Sequence, residues 1–150
     1  MPTRRQILAS ALASPAVFIP LKVAAAEPLV FQRNGLAISG YDPVAYFTEG
    51  GPVAGDAAFQ TLHDDAIFQF ASAENLAMFE ADPLAFAPQY GGYCAFAVSR
   101  GYTAKTEPDA WSIFQDKLYL NFSKAVRARW ALNKRANVAA ADENWPSVLG

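Results

Sequence analysis

The sequence predicts an α+β fold: a small antiparallel sheet of two hairpins packed by helices, with a C-terminal helix. Two stretches, "AFQTLHDDAIFQFAS" and "WSIFQDKLYLNFS", alternate apolar and polar residues on either side of a short polar turn. Helix-start chemistry recurs at "YDPVAYF", "SAENLAMFEADP" and "ADPLAFAP". Strands and helices interleave without the even spacing of βαβ units.

The chain opens with "MPTRRQILASALASPAVFIPLKVAAAEP", which has the three parts of an export signal. Arg4 and Arg5 form the charged start, and residues 7–21 are moderately apolar but broken by Ser10, Ser14, Pro15 and Pro20. Ala24, Ala25 and Ala26 supply the small-residue cleavage site, so residues 1–26 are predicted to leave and residues 27–150 to remain as one domain. The paired arginines of "TRRQIL" and Lys22 near the cut favour the twin-arginine route, with the general secretory route as the alternative. The expected destination is the periplasm or the exterior. The apolar stretch is short of the roughly 20 residues needed to span a bilayer.

Within residues 27–150, Asp42 and Pro43 suit the cap and first position of a helix. The first hairpin is predicted to pair residues 59–63 with 66–71 through Asp64 and Asp65, placing Phe68 and Phe70 on one face and Ile67 and Gln69 on the other. Neither Asp takes positive φ as freely as glycine, so the turn signal is modest. Ser72 caps the next helix, Glu74 sits in its first turn, and Leu76 and Phe79 share a face. Asp82 and Pro83 begin another turn of helix. In the second hairpin Leu118, Leu120 and Phe122 alternate against Tyr119 and Asn121, the pattern of a half-buried strand. Ser123 then caps a helix over about 124–140, with Val126 and Trp130 on its apolar stripe. Gly50-Gly51-Pro52 and residues 103–108 read as loops.

The whole chain carries 12 Lys and Arg against 14 Asp and Glu. Loss of Arg4, Arg5 and Lys22 leaves 9 against 14, a net charge of −5. That balance argues against nucleic acid and anionic membrane surfaces as partners. A chain of 124 residues buries roughly two-thirds of its unfolded surface and needs no staple to fold. Cys94 is the sole cysteine in a compartment that favours disulfides, so it is an inert core residue, a ligand, a nucleophile, or paired with another molecule.

Four stretches, "SGYDPVAYFTEG", "FQFASAENLAMFEADPLAFAPQYGGYCA", "DKLYLNFS" and "ADENWP", resemble exported proteins of the YHS-domain family, from about Gly40 to Trp145. The cysteine-bearing branch of that family binds metal, and the resemblance implies a metal role at three thiols. Here Asp42-Pro43-Val44, Phe70, Ser72, Phe79 and Asp82-Pro83 match the pattern. Ala45, Ala71 and Asn75 stand where the three cysteines belong. Thiolates are what select soft metals, so the metal role does not carry over to those positions.

Other candidates come from the residues themselves. His63, the sole histidine, lies beside Asp64 and Asp65 and could serve as a ligand or base, or be a plain turn residue. A metal such as copper, iron or zinc would need His63, Cys94 and a carboxylate such as Asp64, or a second chain. A Cys94–His63 nucleophile pair could be completed by Asn121 or Asn75. Gly91 and Gly92 permit close approach of a strand or a ligand, and with Tyr90 and Tyr93 could line a pocket. Tyr41, Tyr46, Tyr102 and Tyr119 complete a set of tyrosines that could instead be core. The expected function is a metal-ion or small-ligand binding module rather than an enzyme. The alternatives are a thiol-dependent enzyme using Cys94, or a structural partner in an exported complex.

Overall fold

The computed structural model describes residues 14–17 and 26–150. Arg4, Arg5 and Ala24 of the predicted export signal lie outside the described residues, and Ala26 is exposed. No helix among the described residues is long and apolar enough to cross a membrane.

The fold is α+β. Strands β1 (Gln32–Arg33), β2 (Leu36–Ala37), β3 (Asp56–His63) and β4 (Ala66–Phe70) form a sheet in the order β1-β2-β4-β3. Pairing is antiparallel except between β2 and β4, where Leu36 faces Ile67 in parallel register. Strands β5 (Trp111–Phe114) and β6 (Lys117–Leu120) form a separate antiparallel pair. The two expected hairpins are present, but they do not share one antiparallel sheet. The additional β1–β2 hairpin occupies the edge of the first and makes that sheet mixed. It turns through Asn34 and Gly35, both at positive φ, which is the chemistry of a tight hairpin turn. Asp64-Asp65 and Gln115-Asp116 adopt the same left-handed conformation without a glycine.

The helices are α1 (Ala45–Thr48), α2 (Ala73–Ala81), α3 (Pro83–Phe86), α4 (Ala95–Ser99), α5 (Lys124–Ala131) and α6 (Lys134–Asn144). Ser72 and Ser123 cap α2 and α5 by accepting from the N–H groups of Asn75 and Val126. The C-terminal helix expected over 124–140 is two helices. Asn133 leaves helical dihedrals, and the Asn137 side chain donates to the Trp130 carbonyl at 2.9 Å, satisfying the end of α5.

Strand β6 is buried on both faces rather than one. Leu118 and Leu120 join Phe68, Phe70, Phe79 and Tyr46 in one core. Tyr119 points the other way, into a second core with Tyr90, Tyr93 and Trp130. Phe122, expected on the inner face, is exposed because the strand ends at Leu120.

Asp42 ties the first core together. It is fully buried, and one carboxylate oxygen accepts from the N–H groups of Val44 at 2.8 Å and Ala45 at 3.2 Å. The other accepts from the Ala71 N–H at 2.9 Å and the Asn75 amide at 2.7 Å. Three segments thus converge on one charge, and its lone pairs are satisfied without a cation. Asp42→Ala leaves these donors buried and unpaired, and should cost about 3 kcal/mol or more in a urea titration. A loss of less than about 1 kcal/mol would contradict this role.

Candidate functional site

A cleft of about 520 Å³ lies on the seam between the two cores. The β3–β4 turn brings His63 and Asp64 to one end, and Phe68 of β4 forms part of the wall. α3 and the segment after it contribute Leu84, Ala87 and Pro88. The 3₁₀ turn Gln89–Gly92 contributes Gln89, Tyr90 and Gly91. α6 and the residue after it supply Asp142 and Trp145, and Leu29 and Val30 close the remaining side.

Local backbone chemistry builds this shape. Tyr90 and Gly91 both take positive φ. A Cβ on Gly91 would stand 1.9 Å from the Leu29 carbonyl oxygen, so only glycine lets residues 29–30 lie against the turn. The Phe31 N–H donates to the Gly91 carbonyl at 2.9 Å and holds that strap in place. Gly91 therefore serves the approach of the chain's own backbone, while Gly92 makes room for the Ile38 and Pro88 side chains.

His63 is packed rather than waving at a turn tip. Its ring meets the rings of Phe79 and Phe68 edge-on at 5.4 Å and 5.9 Å. Its side chain keeps 22% of its surface exposed, and its Nε2 lies 3.3 Å from Asp64 Oδ2. The residue also borders a smaller hollow of about 210 Å³ with Thr61, Glu80 and Pro83. Across the cleft, the Tyr90 hydroxyl donates to Asp142 Oδ1 at 2.9 Å. Burial, then this carboxylate, pushes the Tyr90 pKa far up, so the phenol stays a neutral donor. The Trp145 ring stands 6.0 Å from Tyr90, edge to face.

The structure separates the residues that a metal or nucleophile reading would join. Among the described residues no three His, Cys, Asp or Glu side chains gather where they could hold a metal ion. The set His63, Cys94 and Asp64 is therefore not assembled. Cys94 is buried and does not line the cleft. It stands before α4, where its Sγ accepts from the Phe122 N–H at 3.3 Å and lies 3.5 Å from Asn121 Oδ1. Asn121 Oδ1 accepts from the Phe96 N–H, so this pair joins β6 to the start of α4. Burial raises the thiol's pKa, and nearby backbone N–H groups only partly offset it. Asn121 thus sits beside the thiol but without the histidine that a nucleophile pair needs, and Asn75 is engaged with Asp42.

Of the pocket residues expected from sequence, Tyr90 and Gly91 line the cleft and Gly92 and Tyr93 do not. A Cβ on Gly92 would meet Ile38 at 2.4 Å, and the Tyr93 hydroxyl donates to the Pro28 carbonyl at 2.7 Å. Ala45, Ala71 and Asn75, the positions without the expected thiols, do come together, around Asp42. The four donors on that carboxylate and the absence of any sulfur donor there do not fit a soft metal. Asp142 and Trp145 were missed as site residues. Their signal was the aromatic and the acid three residues apart at the end of a helix in "ADENWP".

Neither protein-family models, nor curated proteins, nor solved structures give a match to this chain.

Two solution properties follow. Iodoacetamide should label Cys94 only as fast as the protein opens, and labelling of the native protein at the rate of a free thiol would contradict its burial. Burial also raises the pKa of Tyr46, of Tyr93 to about 12, and of Tyr119. Each folded value lies above the unfolded one, so the stability these groups confer is complete below about pH 10 and is lost as pH rises beyond it. Urea midpoints measured from pH 7 upward should hold until that point and then fall. A midpoint unchanged far into alkali would contradict it.

Proposed function

We propose that the chain is an exported small-ligand-binding domain of the YHS type, with the cleft between the β3–β4 turn and α6 as its site. The observation that carries this reading is the cleft itself. It lies within the size range of small-molecule sites, has a mostly apolar wall, and holds a few convergent polar groups. Two of the stretches that resemble the family meet there: "FQFASAENLAMFEADPLAFAPQYGGYCA" contributes Phe68, Leu84 and residues 87–91, and "ADENWP" contributes Asp142 and Trp145. Export rests on the amino-terminal pattern of Arg4, Arg5 and Ala24 to Ala26.

His63 and Asp64 offer a metal ion two donors, and copper, iron or zinc sites in proteins ordinarily take three or more. A ligand that brings its own polar groups suits the cleft better than a bare ion. A cleft-filling Ala87→Phe variant tests the site. In an NMR titration of the wild-type domain with a mixed small-molecule fragment series, binders should shift the amides of Gly91 and Asp142 and the indole of Trp145. The folded variant, checked by its melting temperature, should lose those shifts at least about tenfold. Binders that act elsewhere, or that bind the variant undiminished, would rule the cleft out.

A further inference from the structure

We infer that the cleft selects an organic ammonium ion with an aromatic or aliphatic body; this rests on reading the cleft as the ligand site. Among the described residues that line it there is no Lys or Arg, while two carboxylates, Asp64 and Asp142, face it from different elements. Each has one oxygen engaged by a cleft neighbour: Asp142 Oδ1 accepts from the Tyr90 hydroxyl, and Asp64 Oδ2 lies against His63 Nε2. The second oxygen of each has no protein donor within hydrogen-bond or ion-pair distance among the described residues. Asp142 is thus oriented through one oxygen, and both carboxylates, which are exposed, are open through the other.

The rings of Tyr90, Trp145 and Phe68 also line the cleft; Phe68 and Tyr90 are buried, and Trp145 is the one with appreciable exposure. An ammonium group is attracted to the open carboxylate oxygens and to the half-buried Trp145 ring. Leu29 and Leu84, both exposed, give the uncharged body of such a ligand an apolar surface. An anion would meet two carboxylates and, among the described lining residues, no Lys or Arg. A neutral molecule of the same shape would gain no charge attraction from either carboxylate.

The test uses phenethylammonium, phenethyl alcohol and phenylacetate as probes of one shape and three charges. They are titrated into residues 27–150 at low salt, reading the amides of Gly91 and Asp142 and the indole of Trp145. Phenethylammonium should bind about tenfold more tightly than the alcohol, with phenylacetate weakest. In Asp64→Asn/Asp142→Asn that preference should fall to about twofold or less, with the alcohol unchanged. Asn at 142 keeps the acceptor for Tyr90, and Asn at 64 tolerates the positive φ found there, so the variant should retain its melting temperature. The alcohol or phenylacetate binding as tightly as the ammonium overturns the charge preference but leaves the cleft as a site for another class. An ammonium preference that survives the double substitution also overturns it. No cleft shift with any of the three overturns the inference, and the fragment series on Ala87→Phe then decides whether the cleft binds at all.

Discussion

One buried carboxylate holds the first half of the molecule in register. Asp42 accepts four hydrogen bonds from the turn into α1, the exit of β4 and the first turn of α2. A charge taken fully out of water is tolerable only when its lone pairs are met in this way. The contact fixes where β4 ends and where Phe79 of α2 descends onto Phe68 and Phe70. Those rings in turn support His63 at the neighbouring hairpin tip. The same contact bears on chemistry. Ala45, Ala71 and Asn75 surround a satisfied oxygen anion, where thiols would have offered a metal soft donors.

A second constraint shapes the cleft. The turn at Gln89–Gly92 passes so close to residues 29–30 that position 91 admits no side chain. That approach closes one wall, turns the Tyr90 ring toward α6, and brings its hydroxyl to Asp142. The cleft then lies along the seam where two cores meet, with Val30 and Phe68 from one and Tyr90 and Trp145 from the other. Cys94, a few residues further on, is turned inward to the joint between β6 and α4. The sulfur and the imidazole therefore serve different parts of the molecule.

Elements with local signals were legible in the residue order. The alternation at Phe68 and Phe70, the serine caps at 72 and 123, and the Asp-Pro start of α3 are visible because each depends on near neighbours. The β1–β2 hairpin escaped notice because its strands are two residues long, although Asn34-Gly35 marks its turn. The double burial of β6 was hidden because Tyr119 is polar at one end yet buries its ring against Trp130. The break at Asn133 depends on a side-chain contact made one turn later by Asn137. In the cleft, His63, Asp64, Tyr90 and Gly91 were identifiable, whereas Asp142 and Trp145 join them only through the long-range packing of α6. Nothing local told a glycine pair that admits a ligand from one that admits the chain's own packing.

The most direct measurement is a crystal structure of the protein purified from its own host with no ligand added, paired with mass spectrometry of what is released on unfolding. Expected is density for a small organic molecule between Trp145 and the His63–Asp64 pair, with a released species of matching mass. A bound group centred on Cys94 or Asp42, with only water in the cleft, would contradict it.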